Sequence, residues 1–125
     1  MLDETVEKTK GNRGITLNLA LSYGGREELV DATRKIAEKV AAGQLSPEEI
    51  TNDSIQQHLY APDIPDPDLL IRTSGEIRLS NFLLWQLSYT EMVLIKKFWP
   101  EFKISDLEEA IHIFQTRHRR YGAIS

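Results

Sequence analysis

The sequence contains no cysteine. That excludes disulfides and thiolate metal sites, and it fits a reducing compartment. No apolar run approaches the ~18 residues that a membrane-spanning helix requires, and no signal-peptide pattern opens the chain. Positive charge is also scarce overall: 15 Lys and Arg stand against 19 Asp and Glu, a net charge of −4. The chain as a whole is therefore not an electrostatic binder of nucleic acid, and any anion site must be a local basic cluster. The Walker pattern GxxxxGK[ST] and the dinucleotide pattern GxGxxG are both missing, as are repeats and low-complexity segments. What remains is 125 residues, 41% hydrophobic and 27% charged, the profile of one ordinary globular domain.

The pattern of apolar residues places the elements. "MLDETVEKTK" reads as the tail of a helix or as loose chain, and "GNRG" as a turn. "ITLNLALSY" alternates, with Ile15, Leu17, Leu19, Leu21 and Tyr23 on one face, which predicts a strand. After Gly24 and Gly25, the spacing of Leu29, Val30, Ile36, Ala37, Val40 and Ala41 predicts an amphipathic helix to Ala42, with Gly43 as its C-cap. "SPEE" signals a second helix start: Ser46 caps, Pro47 fits the first turn and Glu49 completes a capping box. That helix is expected to fade near Tyr60, before the proline-stiffened loop "APDIPDPD". "LLI" at 69–71 and "MVLI" at 92–95 read as buried strands. Ser80 to Tyr89 reads as a helix that is apolar almost all round, "WPEF" as a turn, and a last helix starts with Ser105 and Glu108 as its capping box and Leu107, Ala110, Ile111 and Phe114 as its stripe. Alternating strands and helices predict an α/β fold, a parallel sheet covered by helices. Three strands are few beside the usual ~4–6, so the sheet reads as part of a larger α/β domain or as one completed by a partner.

Two arginines lie between buried-looking runs in "LLIRTSGEIRLSNFLLWQL". In open α/β sheets, ligands bind beyond the carboxyl ends of the strands, where "RTSG" falls. A following helix start would add its positive dipole end, and Gly75 would allow close backbone approach. Arg72, Arg78, Ser74 and Ser80 could then converge on one phosphate-like group, since guanidinium matches such oxygens with paired hydrogen bonds. The plainer alternative pairs Arg72 with Glu76 or Asp68 and leaves Arg78 facing water. His58, His112 and His118 form no metal pattern. Phe82 and Trp85 read as core or subunit contact, and "RHRRY" at 117–121 as a basic helix end.

Residues 65–92, "PDPDLLIRTSGEIRLSNFLLWQLSYTEM", resemble the C-terminal signature of the cis-prenyltransferases, the undecaprenyl diphosphate synthase family. "LNLALSYGGREELVDA" is similar to a second block of that family and "FWPEF" to a third, so the resemblance runs from about Gly14 to Gly122. It implies the C-terminal half of the cis-prenyltransferase fold and a single, partial domain over residues 1–125. It also implies an activity: condensation of isopentenyl diphosphate with an allylic prenyl diphosphate to a polyprenyl diphosphate, with Mg2+, by a homodimer. By the same resemblance Arg72, Arg78 and Ser80 hold the diphosphate of isopentenyl diphosphate, with Ser74 in the same cradle. Glu91 matches an acidic residue linked to magnesium, and Arg120 and Gly122 in "RRYGA" match an Arg-x-Gly motif that reaches a diphosphate across the dimer. Ser22 stands where the family has asparagine.

The family's N-terminal half carries a "DGNGRW"-like loop for magnesium and the allylic diphosphate. The nearest letters here, "GNRG" at 11–14, lack the aspartate. Ionising an allylic diphosphate needs strong stabilisation of the leaving group, so the chain by itself is expected to be inactive. The alternative is a non-catalytic accessory subunit of a prenyltransferase assembly; a weaker one is an unrelated phosphate-binding α/β domain. The expected location is the cytoplasm, peripheral at the membrane where a lipid product associates.

Overall fold

The computed structural model describes residues 2–117. Helix α1 spans Leu2–Thr9, α2 Gly25–Ala41, α3 Asn52–Gln56 and α4 Ile104–Thr116; strands β1 and β2 span Leu69–Arg72 and Glu91–Leu94. Short 3-10 turns occupy Pro47–Glu49 and Trp99–Glu101.

The α/β class and the parallel pairing are as expected. β1 and β2 run parallel in the register Leu69↔Glu91 to Arg72↔Leu94. Val93, Ile95 and Ala110 form the buried cluster that joins β2 to α4, with Leu69, Ile71, Phe102 and Ile113 packed around it. The sheet is less enclosed than the apolar runs suggest. No β1 residue is fully buried, and Leu94 is 41% exposed.

α2 is the helix that the sequence predicts, and it ends as predicted. Gly43, at φ 68, donates its N–H to Val40 O, and the Gln44 N–H reaches Lys39 O, the paired bonds of a Schellman motif. Its buried side is shifted, however: Glu28, Ala32 and Ile36 are buried, whereas Val30 is 55% exposed.

Three expectations fail locally. Residues 15–23 form no strand among the described residues: Ile15, Leu17, Leu19 and Leu21 are 97, 79, 57 and 67% exposed. The alternation is real, but a strand exists only through a neighbour that takes its backbone hydrogen bonds and covers one face. Second, Ser80–Tyr89 is a run of turns, not a helix. Ser80, Asn81 and Leu83 have φ of 54, 63 and 44°, and positive φ is incompatible with a right-handed helix. Third, the region after Ser46 is a 3-10 turn, a break at Ile50 and the separate five-residue α3, not one helix. Glu49 still folds back as expected, accepting the Ser46 N–H at 2.7 Å. At α4 the start moves by two residues: Lys103, not Ser105, is the N-cap and Asp106, not Glu108, accepts its N–H at 2.8 Å.

Candidate functional site

The segment after β1 is fastened to the strand beside it. The Arg72 carbonyl accepts the Ile95 N–H at 2.8 Å, Ser74 donates its N–H to Lys97 O at 2.7 Å, and Gly75 donates to Ile95 O at 3.1 Å. Ser74 and Gly75 have φ of 66 and 67°. These two consecutive left-handed residues reverse the chain, and glycine suits the second because it has no Cβ to strain. The cost of this geometry is that the Ser74 and Gly75 amides are taken up by carbonyls of the chain just after β2. They are not offered to an anion, and no helix N-terminus follows, so both backbone contributions expected from the sequence are corrected. What remains is side-chain chemistry.

Arg72 stands at the last position of β1 and is half-buried. Its Nη2 donates to Ser80 Oγ at 3.4 Å, and its Nε is buried without a hydrogen-bond partner. A buried guanidinium N–H that lacks an acceptor carries a desolvation cost, and an incoming oxyanion would remove it. Arg78 behaves differently. It is 74% exposed and lies 2.9 Å from the Glu76 carboxylate, a pairing that an anion can exchange cheaply because exposed ion pairs are weak. Arg72 and Ser80 are thus brought together. Ser74 is exposed on the intervening turn, and Arg78 faces solvent beside Glu76.

Glu91 opens β2 and is paired. Arg117 donates from Nη1 to Glu91 Oε2 and to the Met92 carbonyl, each at 2.9 Å. Among the described residues no group of three or more His, Asp or Glu side chains gathers to hold a metal. Mg2+ is commonly held by one or two carboxylates together with substrate phosphates. Glu91 fits one such carboxylate once Arg117 releases it; the described residues do not make a complete metal site. Arg120 and Gly122 lie outside the described residues. No helix among the described residues is long and apolar enough to cross a membrane.

Sequence reasoning missed the layer behind this cradle. Glu28 is buried, 2% exposed. It accepts the Tyr23 hydroxyl at 2.5 Å, the Tyr60 N–H at 2.9 Å and Gln86 Nε2 at 3.1 Å. Burial, and then the hydrogen bond to Glu28, push the Tyr23 phenol far above its ordinary range. Tyr23 also meets Tyr60 and Phe82 edge-on, at 6.2 and 5.7 Å between ring centroids. This carboxylate links the "SYGGR" segment, the proline loop and the turn region, and nothing in its sequence spacing marks it. Asn81 is the other missed residue: its Oδ1 accepts the Arg26 N–H at 2.9 Å. Its only sequence signal was membership in the "RLSN" run.

The comparisons agree with this architecture. Residues 1–122 match the family described as "Putative undecaprenyl diphosphate synthase". The chain is 51% identical over 121 residues to the (2E,6E)-farnesyl-diphosphate-specific ditrans,polycis-undecaprenyl-diphosphate synthase of Micrococcus luteus, covering 97% of this chain and 49% of that protein. It is likewise 51% identical to the decaprenyl diphosphate synthase of Mycobacterium bovis, over 94% of this chain and 40% of that one. Among solved structures, lavandulyl diphosphate synthase from Lavandula x intermedia, in complex with dimethylallyl diphosphate, superposes with a TM-score of 0.94 at 42% identity, covering 97% of this chain and 52% of that one. The chain thus spans about half the length of the curated relatives that it matches. It belongs to the undecaprenyl diphosphate synthase family of prenyltransferases.

Proposed function

We propose that this chain supplies the isopentenyl diphosphate cradle and the dimer contact of a cis-prenyltransferase, an enzyme that condenses isopentenyl diphosphate with an allylic prenyl diphosphate. One observation carries the reading. At the carboxyl end of β1, Arg72 presents a buried, unpartnered Nε and places its Nη2 3.4 Å from Ser80 Oγ. A diphosphate oxygen would take the Nε–H, and a neighbouring oxygen the Ser80 hydroxyl. Arg78 would leave Glu76 and add a second guanidinium from the solvent side, with Ser74 on the turn between them. Arg120 and Gly122 would complete a diphosphate site from the partner subunit. Mg2+, held by Glu91 with the substrate phosphates, would neutralise charge on the diphosphates. For that, Arg117 has to give up its bond to Glu91.

The chain's own residues bind and orient one diphosphate. The sequence has no counterpart of the family's "DGNGRW"-like loop for the allylic diphosphate, so the reading has the 125-residue chain bind without turning over. The exposed apolar face of residues 15–21 agrees with a sheet that continues outside this chain. Exposed Leu94, Phe98 and Trp99, at 41, 65 and 71%, favour association through apolar surface; sedimentation as a clean monomer would count against the dimer. A cytoplasmic protein that meets the membrane only through its lipid product completes the proposal.

Calorimetric titration with isopentenyl diphosphate, with and without Mg2+, tests the cradle. Binding that Arg72→Ala abolishes is the expected result; binding that survives Arg72→Ala refutes the assignment. Incorporation of labelled isopentenyl diphosphate into product by the isolated chain would refute the claim that it is incomplete.

A further inference from the structure

Two segments far apart in sequence are fastened by one residue, through its main chain and its side chain. The Asn81 carbonyl accepts the Gly25 N–H at 2.7 Å, its Oδ1 accepts the Arg26 N–H at 2.9 Å, and its Nδ2 donates to Glu27 Oε2 at 3.0 Å. The first amides of a helix have no partner within the helix. Gly24, the N-cap of α2, has no side chain to offer them. Asn81 caps α2 from fifty-odd residues away in sequence, as the 55-residue separation from Arg26 records. The approach is close enough that a Cβ on Gly25 would lie 2.9 Å from Leu84 Cγ and 3.2 Å from Asn81 O.

The same residue adjoins the cradle. Ser80 and Asn81 both have positive φ, 54 and 63°. Asparagine visits this region readily, and serine does so at a cost. Ser80 keeps a left-handed backbone only if its surroundings hold it there. The turn is closed locally by the Phe82 N–H to Leu79 O at 3.2 Å and tied to α2 by the three bonds of Asn81, and the Ser80 hydroxyl that they place is the one beside Arg72.

We infer that Asn81 is a positioning residue for the diphosphate cradle: by capping α2 it fixes the left-handed turn that sets Ser80 Oγ against Arg72. The inference rests on the cradle reading and deepens it. Asn81 need not touch the anion, because its bonds are spent on Gly25, Arg26 and Glu27. The frame of α2 thereby becomes the reference from which the anion loop is held, and the "SYGGR" and "RLSN" runs act as one unit.

The test uses the 125-residue chain and inorganic pyrophosphate as the probe, with dissociation constants from calorimetry and the fold monitored by far-UV circular dichroism. Asn81→Gly adopts the positive φ freely and keeps the carbonyl that accepts from Gly25, so only the side-chain bonds are lost. The expected result is an unchanged spectrum with affinity weakened on the order of tenfold, as for groups that orient a ligand-binding side chain. Asn81→Asp combined with Glu27→Gln reverses the polarity of one bond while keeping both. It should return the affinity close to that of the unmodified chain. Unweakened binding by Asn81→Gly overturns the inference. So does a double variant no better than Asn81→Gly, or weakening that appears only with loss of helical signal. If Arg72→Ala binds pyrophosphate as well as the unmodified chain does, the cradle reading itself falls and takes this inference with it.

Discussion

Replacing Glu28 by alanine should be among the most damaging single changes in this chain, and replacing it by glutamine should be mild. The carboxylate is buried and takes three donors: the Tyr23 hydroxyl, the Tyr60 N–H and the Gln86 amide. Alanine removes every acceptor at once. A buried donor left without a partner costs ~1–3 kcal/mol. Three would cost up to ~9 kcal/mol if all stayed dry, and water entering the vacated space would lower that figure. About 3–5 kcal/mol is therefore the expected loss, a large part of the ~5–15 kcal/mol typical of a whole domain. Glutamine keeps one oxygen for the Tyr60 N–H. Its amide can donate to the Tyr23 oxygen and to Gln86 Oε1, which is buried and has no partner at present; a flip of the Gln86 amide brings that oxygen round. What glutamine loses is the charge assistance, about 1 kcal/mol. Urea unfolding followed by circular dichroism and tryptophan fluorescence would measure both. Should Glu28→Ala cost no more than Glu28→Gln, or either leave the midpoint unmoved, the three-donor clamp is not what holds Tyr23, the proline loop and the turn region together.

Gly25→Ala should cost ~1–3 kcal/mol by overpacking, because its Cβ would lie 2.9 Å from Leu84 Cγ and 3.1 Å from the Leu84 amide nitrogen; the same denaturation assay reads it. Asp106 is held below its ordinary range, first by Lys97 at 2.6 Å and then by the Lys103 N–H. Its contribution to stability is therefore present above the unfolded carboxylate value of ~3.9 and is lost as pH falls through the lower folded value. Unfolding of Asp106→Asn against pH should show a deficit at neutral pH that closes in acid. Lys97 is pushed upward by the same carboxylate, so the pair also weakens in strong alkali, once pH rises through its raised value. Ser74→Gly, at φ 66, should raise stability by up to ~1 kcal/mol through relief of left-handed strain, partly offset by the greater freedom of glycine when unfolded; a lowered melting temperature would contradict that.

Local signals in the sequence settled several elements outright. The i, i+3, i+4 spacing and Gly43 defined α2 and its Schellman end, because both depend only on residues within a turn of one another. The short apolar runs "LLI" and "MVLI" marked β1 and β2, and the long "RTSGEIRLSN" block carried the resemblance to the family. Periodicity misled in two places for opposite reasons. Residues 15–23 alternate as a strand should, yet a strand needs a partner that the described chain does not provide. Residues 80–89 are apolar enough for a buried helix, yet Ser80, Asn81 and Leu83 have a left-handed backbone and Asn81 is bonded to α2, a partner invisible from within the segment. The sequence alone determined which residues carry charge and which short stretches prefer helix or strand. Only the tertiary structure decided that Glu91 pairs with Arg117, that Glu28 gathers three donors and that Asn81 caps a distant helix. Apart from the Tyr23 hydroxyl, five residues from Glu28, those bonds join groups separated by 26 to 58 residues, and such partners are chosen by packing rather than by local preference.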